Sequence, residues 1–278
     1  MSEPVAVITP LLDPDPEYLL DSYADLRQQT MPWRWYLQHD AATATTIPAV
    51  IAADPRVSVG VNGRWLGSGG SRNLALARAA GEAFVYAHDY DDRLAPGAFV
   101  ALLAPMCANP QVGWVAGSFG DLHYRAGRWE AAPFLYDVPP GPVPAGAWID
   151  LMTEWPAPCA PALPAPTSMM WRSELLYGLG GWGGVPRGED TLLVQGAYAL
   201  ADGYLIGEST GWYRKHDQQK SRDASSYARV EREAALLLAR RREAALRAQT
   251  GRRGAWRFGS GTVEAPVASV AGISGGLS

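Results

Sequence analysis

The sequence has little of what would assign a chain quickly to a functional class. Its 278 residues include only two cysteines, Cys107 and Cys159, which are far apart and match no metal-ligand spacing. They are either buried thiols or one disulfide, and the lack of a recognisable export signal favours thiols. No stretch reaches about 20 consecutive apolar residues, so no transmembrane helix is expected. We therefore expect a soluble, cytoplasmic protein.

An excess of charge of one sign is also missing. The net charge is -4, so the composition does not indicate a nucleic-acid-binding protein. Hydrophobic residues make up 47% of the chain, which is enough for a sizeable core in one large or two small domains. The abundance of alanine, glycine and arginine, with few lysines, is typical of bacteria with GC-rich genomes.

Strand-like and helix-like signals alternate through the first two-fifths of the chain. Apolar runs predict strands at 5–12, 33–40, 57–63 and 83–89, and the segments between them predict helices at 17–29 and 68–81. In the second helix, Ser71 is the expected N-cap and Gly81 the expected C-cap. This alternation predicts a mostly parallel sheet with helices on both faces. Because such sheets bind ligands at the carboxyl ends of their strands, we expect Asp40 and Asp89 to share one site.

The remainder of the chain has a different composition. Residues 133–166 contain ten of the 22 prolines and predict an irregular loop, either a substrate lid or a solvated connector. Residues 225–248 predict an amphipathic helix that carries arginines 240–242. We interpret its basic side as a solvated face, and contact with an anionic membrane is the alternative. Beyond residue 251, small residues predict a flexible tail.

The stretch "FVYAHDYDDRL" is an apolar strand that ends in Asp89, Asp91 and Asp92. Carboxylates this close repel one another unless a cation lies among them. At a strand end they can hold a hard divalent ion such as Mg²⁺ or Mn²⁺, which also binds the phosphates of a substrate. The alternative is an acidic turn without metal. Asp92 is expected to cap the following turn rather than to bind metal directly.

The segment around these acids, "GSGGSRNLALARAAGEAFVYAHDYDDRLAPGAF", resembles the central part of family 2 glycosyltransferases of the GT-A fold. That family shows a small-residue loop, Arg-Asn, a helix ending in Ala-x-Gly, a strand and then Asp-x-Asp-Asp, its DXD motif. The matching residues are Gly70, Arg72, Asn73, Ala80, Gly81, Asp89, Asp91 and Asp92. The resemblance extends from Val5 to about Arg222. It implies a Rossmann-like GT-A fold, with a mixed, mostly parallel sheet flanked by helices.

The resemblance also implies an organisation into halves. Residues 1–222 are expected to form the GT-A domain, with a nucleotide-sugar half at 1–105 and an acceptor half at 106–222 that contains the proline-rich loop. Residues 223–278 are expected to form a C-terminal helical extension and tail.

In the nucleotide-sugar half, "VAVITPLLD" resembles the first strand of the family, with Thr9 and Pro10 among the nucleotide contacts. "WRWYLQHD" resembles the second strand, whose terminal acid contacts the nucleobase, and this role is carried to Asp40. Here His39 and Asp40 stand where the family more often has an acidic pair. Tyr90, between the acids of the DXD motif, is also placed at the nucleotide sugar.

In the acceptor half, "MMWRSELLYGLGGWGGVPRGED" resembles an apolar-Arg strand followed by Gly-Gly-aromatic and then Glu-Asp at a helix start. The corresponding residues are Trp171, Arg172, Gly180, Gly181, Trp182, Glu189 and Asp190. The resemblance implies that Asp190 is the general base, with Glu189 as the second choice. "WYRKHDQQKSR" resembles a segment whose histidine completes metal or diphosphate binding, which is His216 here.

Departure of a nucleoside diphosphate requires positive charge at its phosphates. Mn²⁺ or Mg²⁺ held by Asp91, with Asp89 or His216, is expected to supply it, and Arg72 and Lys215 to add to it.

The sugar must also be positioned, and the acceptor must lose a proton. Trp182, beside Gly181, either stacks on a sugar or packs in the core. A single displacement with one base, Asp190, predicts inversion at the anomeric carbon.

The predicted function is that of a metal-dependent inverting glycosyltransferase of the hexosyltransferase type. Its donor would be a UDP-, GDP- or dTDP-sugar and its acceptor nucleophile a hydroxyl of a small molecule, peptide or glycan; a homodimer is possible on sequence grounds. One alternative is a nucleotidyltransferase, although "LLDPDPEYL" after the first strand is a poor triphosphate loop. The other is a non-catalytic nucleotide-sugar or glycan-binding protein, which would not need Asp190 as a base.

Overall fold

The computed structural model describes residues 3–41, 46–79, 81–132, 136, 138–148, 164–185, 188–216, 229–250 and 258. Its strands are β1 Val5–Leu11, β2 Trp33–His39, β3 Val57–Val61, β4 Phe84–Ala87, β5 Arg93–Leu94, β6 Val112–Arg125, β7 Arg128–Ala132, β8 Gly141–Val143, β9 Met169–Arg172 and β10 Asp202–Lys215. Its helices are α1 Pro16–Arg27, α2 Ala49–Ala52, α3 Gly67–Arg78, α4 Ala98–Ala108, α5 Ser173–Leu179, α6 Glu189–Leu200 and α7 Arg229–Thr250.

The strands of the described residues form one sheet. Its main order is β3-β2-β1-β4-β9-β6-β10-β5, with β7 paired to β6 and β8 to β10. β1 to β4 are parallel, β9 lies antiparallel between β4 and β6, and β6 is parallel to β10. The carboxyl ends of β1–β4, β6 and β10 therefore lie at one edge. The predicted mixed, mostly parallel α/β sheet flanked by helices is confirmed, and the four predicted strands agree with β1–β4 to within two residues at each end.

Helices cover both faces of the sheet, and the sheet separates two hydrophobic clusters. One cluster joins α3, α5 and α6, and the other joins α1 and α4. The packing of β1 explains the apolar run at its start, because Ala6 and Ile8 face the first cluster while Val5 and Val7 face the second. A strand buried on both faces has no polar side, so a continuous apolar run replaces the alternation of a half-exposed strand.

Helix α1 begins close to its predicted position. Asp15 caps it by accepting a hydrogen bond from the amide of Glu17 at 2.8 Å, and Pro16 occupies the first turn, where its missing N–H is harmless. Leu19 and Leu26 are buried against the second cluster.

Helix α3 differs from the prediction at both ends. It begins at Gly67, so Ser71 is not its N-cap; Ser71 lies fully buried inside the helix and accepts a hydrogen bond from Asn62 Nδ2 at 2.9 Å. The glycines of the first turn are tolerated because a neighbour approaches closely: a Cβ at Gly69 would lie 2.8 Å from Cγ of Glu189. The C-cap is Ala79 rather than Gly81. Ala80 lies outside the described residues.

The C-terminal half contains fewer described residues. Of the proline-rich loop, 136, 138–148 and 164–166 are described and include β8, which pairs with β10. The predicted helix at 225–248 corresponds to α7, and its predicted start lies outside the described residues, as do Cys159 and almost all of the predicted tail. Cys107 is a free, partly buried thiol. Among the described helices, none combines the length and apolar character needed to cross a membrane.

The pairing of β6 with β10 predicts a measurable sensitivity to side-chain volume. A Cβ at Gly203 would overlap the indole of Trp114, which is fully buried. We expect Gly203→Ala to lower the free energy of unfolding by about 1–3 kcal/mol, because the core must shift to admit the methyl group. Urea denaturation followed by circular dichroism measures the change.

The matched control for this variant is Gly63→Ala. A Cβ at Gly63 has no neighbour within 4 Å among the described residues, so the change should stay within about 0.5 kcal/mol. Equal stability of the two variants would contradict the close packing of β6 on β10.

Candidate functional site

The acids that follow β4 have different partners. Asp89 Oδ1 accepts a hydrogen bond from Arg72 Nη2 at 2.8 Å. Asp91 Oδ2 lies 2.9 Å from His216 Nε2, just beyond the end of β10. The turn therefore directs its first acid towards α3 and its second towards β10.

Asp92 has a structural position. It is 1% exposed, and its Oδ1 accepts a hydrogen bond from the amide of Arg214 at 3.2 Å, which ties the turn to β10. Burial raises the pKa of Asp92 well above its ordinary value, and the charges of Asp91 and Asp89 add to this effect. Its partner is therefore a neighbouring strand rather than the following turn, and the expectation that it does not bind metal directly stays a prediction.

Arg72 on α3 joins two carboxylates that are distant in sequence. Besides Asp89, it donates to Glu189 Oε1 through Nη1 at 3.1 Å, and Ser68 Oγ donates to the same oxygen at 2.6 Å. The Arg72 side chain is only 9% exposed. Burial works against its charge, but the charges of Asp89 and Glu189 outweigh it, so the pKa of Arg72 lies above its ordinary value. Its guanidinium is thus directed at two protein carboxylates, and its expected contribution at a diphosphate stays a prediction.

Asp190 lies in the first turn of α6, after Gly188, which adopts a left-handed conformation. Its Oδ1 accepts a hydrogen bond from the amide of Thr191 at 2.7 Å. Burial raises the pKa of Asp190, as does the charge of Glu189, while Arg72 lowers it. Since Glu189 is held by Arg72 and Ser68, Asp190 is the better placed of the two predicted bases.

Trp182 and Gly181 are fixed by Asn73. Asn73 Nδ2 donates to the carbonyl of Trp182 at 2.9 Å, and the amide of Trp182 donates back to Asn73 Oδ1 at 2.8 Å. Gly181 has a φ of +71°, and a Cβ there would overlap Asn73 Oδ1, so the position requires glycine. The Trp182 side chain is 3% exposed and belongs to the core. Of the two possibilities left open by the sequence, the structure favours packing over stacking on a sugar.

Asp40 follows β2 and is 1% exposed. Its Oδ1 accepts hydrogen bonds from Leu66 N at 2.7 Å and Asn62 Nδ2 at 3.1 Å, whereas Oδ2 is buried without a partner among the described residues. An unpaired buried carboxylate oxygen is costly, which fits a group that receives a donor from a ligand.

Thr9 plays a structural part at the end of β1. Its hydroxyl donates to the carbonyl of His88 at 2.6 Å and accepts from Trp35 Nε1 at 2.8 Å, and the residue is fully buried. Pro10, beside it, is partly exposed. The Thr9 side chain therefore links β1 with β2 and β4, and leaves Pro10 as the more accessible of the two predicted contacts.

His88 and Tyr90, on either side of Asp89, also contact α1. His88 Nε2 lies 3.2 Å from Ser22 Oγ, and the carbonyl of Tyr90 accepts from the same hydroxyl at 2.7 Å. Burial lowers the pKa of His88 to about 4, which favours the neutral ring. Burial and the charges of Asp91 and Asp89 raise the pKa of the partly buried Tyr90.

Lys215 is the last residue of β10. Its Nζ lies 2.9 Å from Asp121 Oδ1 and 4.1 Å from the centroid of the Tyr213 ring. As with Arg72, its charge already has a protein partner, although it is adjacent to His216.

A divalent cation can be tested against these donors. Asp91 and His216 offer one carboxylate and one imidazole within 2.9 Å of each other, while Asp89 is paired with Arg72. No group of three or more His, Cys, Asp or Glu side chains suited to a metal is found among the described residues. A small donor set still fits Mg²⁺ or Mn²⁺, because such ions are commonly held by one or two carboxylates plus substrate phosphates and water. The pair therefore fits a cation that arrives with a diphosphate.

Several residues of this region were not identified from the sequence as functional. They are Ser22, Asn62, Ser68 and Arg214, together with Asn73, which was noted only as a motif match. Asn62 follows β3 directly in "VNG", and a polar residue at the carboxyl end of a parallel strand was a usable signal. For Ser22, Ser68 and Arg214, these partners lie 66 or more residues away in sequence, so no local pattern could reveal them.

Comparison with solved structures supports the fold. The chain is similar to S. aureus TarS 1-349 in complex with UDP-GlcNAc, with a TM-score of 0.61 and 17% identity over 81% of this chain and 62% of TarS 1-349. It is also similar to the UDP complex, with a TM-score of 0.58 and 16% identity over 76% of this chain and 60% of the other. The chain thus spans about three-fifths of those structures. No protein-family profile and no curated protein sequence matches it.

The Arg72 contacts predict a large effect on stability. We expect Arg72→Met to lower the free energy of unfolding by about 2–4 kcal/mol, because Asp89 and the largely buried Glu189 lose their shared partner. Urea denaturation of the variant and the wild-type protein measures this difference.

The control for Arg72 is Arg34→Met. Arg34 also pairs with a carboxylate, Glu82, but its side chain is 61% exposed; the expected loss is therefore within about 1 kcal/mol. Similar losses in both variants would show that the Arg72 contacts are no stronger than a surface pair.

Proposed function

We propose that the chain is a glycosyltransferase that moves a sugar from a nucleotide-diphosphate sugar to an acceptor hydroxyl, with inversion and with a divalent cation. The observation that carries the proposal is the arrangement at the carboxyl edge of the sheet: the Asp91–His216 pair lies beside Asp89, which Arg72 connects to the helix start that bears Asp190. Asp89, which lies next to the proposed cation pair, is thus linked through Arg72 to Glu189, the neighbour of the proposed base Asp190.

The likeness to TarS supports a donor of the UDP-sugar type. Two TarS structures hold UDP-GlcNAc and UDP, and the present chain shares their fold. Asp40, at the end of β2, has a buried oxygen without a partner among the described residues. That oxygen can accept a hydrogen bond from a nucleobase N–H, which is the role proposed for it.

The roles of the side chains follow from their contacts. Asp91 and His216 would hold Mg²⁺ or Mn²⁺, which when bound offsets the charge of the departing diphosphate. Arg72 keeps Asp89 and Glu189 in place and so fixes the start of α6 relative to the DXD turn. Asp190 takes the proton of the attacking hydroxyl, since Glu189 is already hydrogen-bonded. One displacement assisted by one base inverts the configuration of the transferred sugar.

The cation site generates the first functional prediction. Asp91→Asn removes a negative oxygen ligand and should weaken Mn²⁺-dependent binding of UDP at least tenfold by titration calorimetry. Binding of UDP in EDTA should be equally weak in the variant and the wild type. Glu174→Gln, an exposed carboxylate on α5, should leave Mn²⁺-dependent binding unchanged. Retention of full Mn²⁺ dependence by Asp91→Asn would remove the basis of the proposal.

The base generates the second prediction. Asp190→Asn should reduce kcat for transfer by about 10²–10⁴-fold and leave the Kd of UDP within twofold, because the amide cannot take a proton. In the wild type the rate should fall on acidification at a pH above the ordinary aspartate pKa of about 3.9, since burial raises the pKa of Asp190 and only its ionised form accepts a proton.

Rate measurements between pH 4 and 8, on both proteins, test this assignment. The Asn variant should lack the acidic decline. A variant that keeps full kcat, or one that keeps the acidic decline unchanged, would assign the base to another group.

A further inference from the structure

A groove beside the proposed cation site is not used by the mechanism above. Its volume is about 1040 Å³, similar to the upper end of the 300–1,000 Å³ typical of small-molecule sites. One wall is the start of α1, including Tyr18. The other wall is the hairpin β6–β7, including Tyr124 and Trp129, and the floor contains Lys215 and His216.

The groove ends at the proposed reaction centre. His216, on its floor, contacts both Asp91 and the Tyr18 ring, whose centroid lies 5.2 Å from that of the imidazole. The nucleobase position proposed at Asp40 follows β2, which is five strands from β10 in the sheet order, or roughly 24 Å at about 4.8 Å per strand. A donor placed between Asp40 and Asp91 leaves the β6–β10 end of the edge available to the acceptor.

The walls of the groove are tied together before any ligand binds. Arg214, 2% exposed, lies with its guanidinium carbon 4.0 Å from the Tyr18 ring centroid and 5.0 Å from that of Trp129, and it donates to Asp21 on α1 at 2.7 Å. Cation–aromatic contacts of this kind are stronger when shielded from water. The groove is therefore preorganised, which reduces the entropy cost of binding.

The exposed ring of Tyr124 and the partly buried ring of Trp129 lie at its outer end. β6 continues past its last pairing with β10, at His123, so the next residue, Tyr124, projects beyond the sheet. Tyr124 is 61% exposed, and its ring lies 5.2 Å from that of Trp129, its cross-strand partner. The negative faces of such rings attract the slightly positive C–H groups of a pyranose ring.

The charges of the lining favour a neutral polar ligand. The lining has three carboxylates, Asp15, Glu17 and Asp21, and three permanent cations, Arg125, Arg214 and Lys215. Balanced charges give no field for a polyanion. Hydroxyl groups both donate and accept hydrogen bonds, so they suit a lining that contains donors as well as acceptors. An aromatic, balanced and open groove therefore matches a sugar chain better than a phosphate polymer.

We propose that this groove binds the acceptor, and that the acceptor is a neutral glycan of several sugar units. The inference rests on the proposed glycosyltransferase function. The terminal sugar would present its hydroxyl near the Asp91–His216 pair and Asp190, while sugars further along the chain contact Tyr18, Trp129 and Tyr124.

The test uses the full chain and a printed array of neutral and charged oligosaccharides. Labelled wild-type protein should bind neutral glycans of three or more sugars, and Tyr124→Ala should bind the same glycans at least fivefold more weakly. Tyr177→Ala, which removes an exposed tyrosine of α5, should bind like the wild type. Absence of binding to neutral glycans, or equal binding by Tyr124→Ala, would overturn the proposal.

A second measurement separates this proposal from the proposed function. Release of UDP from UDP-sugars without an acceptor should be the same, within twofold, in wild type and Tyr124→Ala. With the best-bound glycan as acceptor, Tyr124→Ala should raise KM at least fivefold and leave kcat within twofold. If the protein hydrolyses UDP-sugars but binds no glycan, the proposed role of the groove is refuted and the proposed transferase function is not. Glycan binding that depends on Tyr124, without turnover of any UDP-sugar, would refute the transferase function and leave the groove as a glycan site.

Discussion

Two carboxylates from opposite halves of the chain share one guanidinium, that of Arg72. Asp89 belongs to the turn after β4, and Glu189 begins α6, 117 residues after Arg72. Without their common partner, the partly buried charge of Asp89 and the largely buried charge of Glu189 would both be uncompensated, at considerable electrostatic cost. The contact also sets the distance between the DXD turn and the helix that bears Asp190. The geometry proposed for sugar transfer therefore depends on a side chain that need not touch the substrate.

The sequence was sufficient for the fold because the signals involved are local. Buried parallel strands are continuous apolar runs, and the acids that close them, Asp40 and Asp89, mark one edge of the sheet. The sequence could not reveal which oppositely charged side chain each charged side chain contacts. Arg72 and Lys215 were expected at a diphosphate, yet they pair with Glu189 and Asp121, respectively. Such pairings are set by tertiary contacts between segments with no periodic relation.

Errors at the ends of α3 have the same origin. Ser71 has the residue type of an N-cap, but the glycines before it enter the helix because the side chain of Glu189 packs against Gly69. Trp182 was equally ambiguous, since a tryptophan between glycine pairs suits a sugar platform as well as a core. Its backbone is held on both sides by Asn73, and this fixes the ring in the core. In each case the deciding atom lies in another element.

The acidic turn after β4 is attached to the end of β10 by two neighbouring residues. Asp91 contacts His216, just beyond the end of β10, and Asp92 accepts a hydrogen bond from the amide of Arg214 within β10. The two adjacent acids therefore contact residues that are two positions apart. The acidic turn is thus held at two points near the end of β10. Asp40 and Asn62, which follow β2 and β3, instead contact each other, and Asn62 also contacts Ser71. Substitutions at Asp40 or Asn62 should therefore leave the Asp91–His216 contact in place, so the two ends of this sheet edge can change independently of each other.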